Sequence, residues 1–135
     1  MSAYFEKVKS FVVDLDLTIT SEDEAEELVI VDRPEDGIVN LVIDCEDPIL
    51  IIEQLIMPVP NQPGDLFKQL LKMNRTLVHG AFVLDEDERY IIFRDTLQLA
   101  NLDLNELEGS VAALSLAMAE YGPELLEYVK TGEGA

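Results

Sequence analysis

The chain has 135 residues, of which 48% are apolar, and it carries a formal net charge of −19 at pH 7. This length predicts a single domain over residues 1–130, followed by a flexible C-terminal tail at residues 131–135. The excess of acids argues against nucleic acid and membranes as partners, because phosphates and anionic headgroups are bound by clustered Lys and Arg.

Cysteine usage and the lack of targeting segments predict a cytoplasmic protein. Cys45 is the only cysteine, so no internal disulfide can form. The N-terminus lacks the basic stretch and apolar run of a signal peptide, and no apolar run reaches the roughly 18 residues that cross a bilayer.

The chain begins with the pattern of an amphipathic helix. Between residues 3 and 16, apolar side chains recur on one helical face. The stretch at residues 20–27, which is acidic from residue 22 on, is predicted to be a solvated loop, because packed like charges oppose compact structure. The β-branched residues that follow predict a first strand at residues 28–31.

Five apolar runs separated by turn residues predict the strands of a sheet. Turn residues at 33–37 and 85–88 join neighbouring runs into hairpins. The third run is apolar on both faces except for Glu53 and Gln54, as expected of a central strand covered by helices. The predicted strands are residues 28–31, 38–43, 49–57, 81–84 and 89–97.

Two further helices follow from apolar periodicity and a capping signal. Residues 66–77 combine a broad apolar face with a basic stripe, and Asp103 with Glu106 forms a capping-box pattern before a long third helix. Gly122-Pro123 is predicted to kink that helix or to restart it. The element order predicts an α+β fold: helix, three strands, helix, two strands and helix, with a mainly antiparallel five-stranded sheet packed by helices.

One string of residues is similar to a catalytic motif. Asp14 and Asp16 stand in a DxDxT pattern after an apolar run, as do the nucleophile and the acid/base of Mg²⁺-dependent phosphatases of the haloacid dehalogenase type. Those enzymes hold the two carboxylates at the end of a strand, whereas the periodicity here is helical. We therefore expect both residues near the end of the first helix, without convergence on a metal.

No other group of residues predicts catalysis, a metal site or a cofactor. His79 is the only histidine, so a zinc site or a Cys-His nucleophile cannot be assembled. The acidic residues 85–88 lack the Gly and Glu spacing of an EF-hand, and no glycine-rich phosphate loop is present. An enzyme would have to rely on carboxylates alone.

Two segments carry a resemblance to a known family. Residues 40–48 (Asn-Leu-Val-Ile-Asp-Cys-Glu-Asp-Pro) and residues 71–82 resemble class I type III secretion chaperones of the Tir-chaperone kind and the related YbjN-domain proteins. The resemblance covers residues 3–121, and the acidic stretch at 22–27 and the extension beyond Pro123 depart from it. It implies a small acidic homodimer, joined around its second helix, that holds a partner's extended segment through apolar patches and strand addition.

The charge map agrees with an interface at the second helix. Residues 49–80 hold 2 acids and 3 bases, a net charge of +1, whereas the segments before and after them are strongly acidic. A segment that is simply core would show the same lack of charge, because charges are costly there. If the segment also lines an interface, two copies can approach through it without repulsion. The predicted dimer interface consists of Phe67, Leu70, Leu71 and Met73.

The leading interpretation is a non-enzymatic, chaperone-like module that binds an extended segment of a secreted or regulatory protein. The first predicted strand, taken as the open edge of the sheet, is the expected docking site. A regulatory adaptor and a phosphatase built on Asp14 and Asp16 remain as alternatives. The residues of the expected docking edge are Leu28, Val29, Ile30 and Val31.

Overall fold

Three α-helices and six strands make up the fold in a computed structural model that describes residues 2–133. The predicted α+β class is confirmed, and the strand count is six instead of five. In chain order the elements are α1 (Ala3–Asp14), β1 (Thr18–Asp23), β2 (Leu28–Arg33), a 3-10 turn (Pro34–Asp36), β3 (Ile38–Glu46), β4 (Ile49–Pro58), α2 (Leu66–Asn74), β5 (Ala81–Leu84), β6 (Tyr90–Gln98) and α3 (Leu104–Glu133).

The additional strand, β1, lies in the segment that the charge pattern had assigned to a loop. The sheet order is β1-β2-β3-β4-β6-β5, and every neighbouring pair is antiparallel. An edge strand tolerates acidic residues because its side chains stay in water while its backbone pairs on one side. Glu22 of β1 also pairs with Lys9 of α1 at 3.1 Å, which offsets part of the local negative charge.

The position of β1 corrects the prediction about the open edge of the sheet. β2 pairs with β1 through Ile19 and Val31, and with β3 through Val29 and Ile43. Leu28, Val29, Ile30 and Val31 therefore belong to an interior strand, and the prediction that they form an edge is wrong. The edges of the described sheet are β1 and β5.

All three helices contribute to the core on one side of the sheet, which we call the inner face. Phe5 and Val12 of α1 and Leu107 and Leu114 of α3 are fully buried in one core cluster. Leu66 of α2 belongs to a second buried cluster. The strand residues that these helices cover are Val29, Val31, Leu41, Ile43, Leu50, Ile52, Phe82, Ile91 and Phe93.

The opposite side of the sheet, the outer face, is also rich in aliphatic residues. The prediction that helices cover β4 on both faces is wrong, because the core clusters contain only its inner-face residues. Half-buried aliphatic side chains therefore face outward without a covering helix from the described residues. We call this set the outer apolar face: Leu28, Ile30, Val42, Ile49, Ile51 and Ile92.

Helix α3 starts at the predicted capping box and runs farther than expected. The amide of Glu106 donates to Asp103 Oδ1 at 2.8 Å, and the amide of Asp103 donates to Glu106 Oε1 at 3.3 Å. The helix continues through Pro123 to Glu133, so the predicted restart as a separate helix does not occur, and a kink at Pro123 stays a prediction. Residues 131–133 of the predicted tail belong to α3, and residues 134–135 lie outside the described residues.

Contacts with α2 explain how α3 continues past a proline that costs about 3 kcal/mol in a helix interior. Leu125 is buried beside α2, and the Tyr128 hydroxyl donates to Asp65 Oδ1 at 2.6 Å. The hydroxyls of Thr76 and Tyr121 lie 2.6 Å apart. This packing anchors the last turns of α3, and the extension is part of the domain.

Candidate functional site

Strand β1 offers one unpaired edge of the sheet. It pairs with β2 only, and all of its side chains except that of Ile19 are exposed. The register shifts between Ile19 and Ser21, where the Thr20 hydroxyl donates to the Ile30 carbonyl at 3.2 Å. The outer N–H and C=O groups of an edge strand can pair with a strand of another chain. β1 is therefore the edge that the prediction had placed at β2.

The outer apolar face begins one strand away from this edge. Ile30 lies opposite Val42, and Leu28 lies opposite Asp44, which in turn lies opposite Ile51. Directly opposed side chains in an antiparallel sheet have Cβ atoms about 5 Å apart. The aliphatic side chains thus form a strip across β2, β3 and β4 that Asp44 and Glu53 interrupt, since Glu53 lies opposite Val42.

Asp44 lies within this strip, between Leu28 of β2 and Ile51 of β4. Its Oδ1 atom is buried and has no hydrogen-bond partner. Burial first, and then the negative charges of Glu46, Glu26 and Glu53, raise the pKa of Asp44 from its ordinary value of 3.8 to about 6. The nearby base, Arg94, pairs with Glu53 at 3.0 Å instead. Asp44 therefore carries a charge that this face does not compensate.

Replacing Asp44 by asparagine is expected to stabilise the folded chain at neutral pH. A raised folded-state pKa means that this group favours folding below about pH 4 and loses that contribution as pH rises through 6. Removing the charge should increase the free energy of unfolding at pH 7 by about 1 kcal/mol, after discounting for solvent screening. Urea unfolding at pH 4 and pH 7 measures the effect, and a gain of the same size at both values would contradict it.

The phosphatase alternative does not find its required geometry. Asp14 ends α1 and Asp16 follows it in a left-handed conformation with a φ of 59°, as predicted for the end of a helix. Both residues line a cavity of about 470 Å³ together with Glu108 of α3 and Arg33. The segment is not the strand on which such phosphatases carry their carboxylates. Within residues 2–133, no three acidic, histidine or cysteine side chains are grouped to hold a metal.

Cys45 and His79 are placed for packing. Burial, and then the charges of Glu27, Asp44 and Glu46, raise the pKa of the Cys45 thiol to about 12, so it stays protonated at neutral pH. A thiol in that state is a poor nucleophile. His79 lies in the link after α2, as expected, and its ring rests on Gly109 of α3.

A second candidate surface joins α2 to the β5 edge. Phe67 and Leu71, two of the predicted interface residues, are 39% and 71% exposed. The other two, Leu70 and Met73, are buried in the chain's own core and offer little surface to a second copy. Phe67 and Leu71 line a shallow apolar cavity of about 230 Å³ with Leu84 of β5.

The sequence of this chain also matches a known protein family. The family model CesT_Tir_1 matches residues 1–131, nearly the whole chain. The chain belongs to this family of type III secretion chaperones. The match includes the last turns of α3, so the extension beyond Pro123 does not set the chain apart from the CesT_Tir_1 family.

Solved structures share the fold of this CesT_Tir_1 chain. YbjN from E. coli, described as a putative transcription regulator, matches with a TM-score of 0.66 at 14% identity over 89% of this chain and 92% of its own. The Yersinia pestis type III secretion chaperone SycH, in complex with a fragment of another protein, matches with 0.60 at 15% identity over 87% and 98%. ExsC in the ExsC-ExsE complex matches with 0.61 at 24% identity over 93% and 97%.

Two further observations concern curated proteins and membrane-spanning helices. No curated protein matches the sequence. Among the described residues, none of the helices has both the length and the apolar character that a bilayer crossing needs.

Sequence reasoning missed the two features that define the site. The edge strand β1 was hidden by its acids, and Asp44 was not singled out because its neighbours become clear only with the strand register. A usable signal was present: β3 alternates, so Val42 and Asp44 share one face and Leu41 and Ile43 share the other.

Proposed function

We propose that this chain is a non-enzymatic, cytoplasmic, chaperone-like module that holds an extended segment of another protein. The observation that carries the proposal is a free strand edge, β1, next to an apolar sheet face that no described helix covers. Membership of the CesT_Tir_1 family supports it, as do the complexes in which SycH and ExsC were solved. Those two proteins share only the fold with this chain, so its own partner is identified by chemistry.

The partner segment adds to β1 as a seventh strand and continues over the outer apolar face. Strand addition forms main-chain hydrogen bonds that do not depend on the partner's sequence, and the aliphatic strip supplies apolar contacts. Charge then selects the partner, because a surface with a net charge of −19 attracts basic segments. Association should be faster at low salt, since exposed charges are screened over about 8 Å at physiological ionic strength.

The active form is a homodimer joined at α2 and β5. Phe67 and Leu71 are large apolar side chains that α2 exposes to solvent. They lie in the one segment without net negative charge. A specific interface buries about 800 Å² on each subunit. This arrangement leaves the β1 edge, at the other end of the sheet, free in both subunits.

Two neighbouring proline substitutions test the docking edge. Successive N–H groups of a strand point to opposite sides. Of the two variants Ser21→Pro and Glu22→Pro, one therefore removes a hydrogen bond to β2, and the other removes a hydrogen-bond donor from the open edge. The variant that stays folded, judged by circular dichroism, should lose the partner that the native chain retains from a lysate of its source organism. Ser21→Ala and Glu22→Ala, which keep both N–H groups, serve as controls. If the folded proline variant retains the same partner, β1 is not the docking edge.

A further inference from the structure

The uncompensated charge of Asp44 indicates which kind of molecule can bind to the outer apolar face. The carboxylate lies opposite Leu28 on one side and Ile51 on the other, and Oδ1 has no partner. A half-buried carboxylate with one buried oxygen that lacks a hydrogen-bond partner costs free energy that a cation from another molecule can recover. The face therefore offers aliphatic side chains around its rim and a negative charge at its centre.

We propose that the outer apolar face binds a protein segment in which a lysine or arginine stands between aliphatic residues, and that this base pairs with Asp44. The proposal rests on the binding role proposed above and names the kind of segment that fills that role. The aliphatic residues of the segment cover Leu28, Ile30, Val42 and Ile51, while the cationic group reaches the carboxylate between them. A charge-assisted hydrogen bond formed in such partly desolvated surroundings is stronger than one formed in water.

A second copy of this chain does not fit the same face. An isologous contact places the same patch of both subunits face to face, so two sets of acidic residues around Asp44 would be brought close together. The groups that face Asp44 are Glu26 from the β1–β2 turn, Glu46 from β3, and Glu53 from β4, which pairs with Arg94 of β6. No free base is present in that set, so self-association would place like charges in contact.

Acidification should weaken this interaction. Because the pKa of Asp44 lies near 6, about half of the free chains carry a protonated Asp44 at that pH and cannot pair with a cation. Glu26, Glu46 and Glu53 add negative charge nearby, and this charge helps to raise the pKa of Asp44. Binding should therefore fall from pH 7 to pH 5.

Peptide selection provides the probe. Random 12-residue peptides displayed on phage are selected on the full-length chain at low salt, and the strongest binder is synthesised for fluorescence anisotropy. The expected consensus is a single Lys or Arg flanked by aliphatic residues. Asp44→Asn should weaken binding of this peptide about tenfold. Asp87→Asn, which removes the same charge from the exposed β5–β6 turn, should leave binding unchanged within about twofold.

A charge exchange completes the test. Asp44→Lys should reject the basic peptide and bind a version in which the central base is replaced by Glu more tightly than the native chain does. Equal affinities of the native chain and Asp44→Asn for the selected peptide would overturn the pairing while leaving the proposed binding role intact. Failure to select any peptide would count against the binding role and the pairing together. A change of dimer mass in Asp44→Asn would show that the face belongs to the subunit interface, and would also overturn the proposal.

Discussion

Replacing Phe67 and Leu71 together by aspartate should convert the proposed homodimer into a monomer. Both side chains lie on the exposed surface of α2 and would occupy the centre of the interface. Two carboxylates buried there without partners cost several kcal/mol, so the dissociation constant should rise by at least about a hundredfold. Light scattering at micromolar concentration should give about twice 15.1 kDa for the native chain and 15.1 kDa for the variant.

A matched control separates interface loss from a general effect of added charge. Val13→Asp places a carboxylate on α1, where the native side chain is 62% exposed. Helix α1 contacts β1, which lies at the opposite edge of the sheet from β5. This variant should remain a dimer. A native chain that is already monomeric at micromolar concentration, or a loss of the dimer in Val13→Asp alone, would contradict the proposed interface.

Gly80→Ala should destabilise the fold strongly. Gly80 links α2 to β5 with a φ of +72°, and a Cβ atom added there would overlap Cζ of the fully buried Phe93 ring. Left-handed backbone costs about 1 kcal/mol for a residue with a side chain, and overpacking a core adds about 1 to 3 kcal/mol. The melting temperature should therefore fall by about 10 °C in thermal unfolding followed by circular dichroism.

Gly64→Ala is the control for the backbone contribution alone. Gly64 also has a positive φ, +57°, but nothing lies within 4 Å of an added Cβ. Its cost should stay near about 1 kcal/mol, which lowers the melting temperature by only a few degrees. Equal losses of melting temperature in Gly80→Ala and Gly64→Ala would mean that the Phe93 ring can shift away from an added Cβ atom. The Phe93 ring would then not restrict residue 80 to glycine.

Local signals in the sequence were sufficient for the helices and for most of the sheet. The capping box at Asp103 and Glu106 forms as predicted, because both halves of the motif lie within one turn of the helix. The acidic turn at residues 85–88 joins a hairpin, with Asp85 Oδ1 accepting hydrogen bonds from the amides of Arg89 and Tyr90. Such features depend on residues a few positions apart, and they can be recognised without knowing the tertiary structure.

The errors concern features that depend on distant parts of the chain. β1 is held by backbone pairing with β2 and by the contact of Glu22 with Lys9, neither of which its acidic composition reveals. The continuation of α3 past Pro123 depends on Leu125 and Tyr128 meeting α2.

The candidate site was the least predictable part of the molecule. Apolar residues on both faces of β4 indicated cover on both faces, but only the packing shows that all three helices contribute to the inner face. Asp44 gained its significance from the opposed residues Leu28 and Ile51 on two other strands. The sequence pattern identifies which residues are apolar, and the register decides which of them remain open to a partner.

The central claim is that the chain holds a partner segment on β1 and the outer apolar face. Amide hydrogen exchange, measured with and without the selected peptide, tests this claim most directly. Exchange in Thr18–Asp23 should slow at least about tenfold on peptide binding, because the outer amides of this edge strand then donate to another backbone. Protection should extend into β2 and β3, which carry the aliphatic residues next to Asp44. Unchanged exchange in β1, with slowing confined to α2 and β5 or to the helices, would contradict the account.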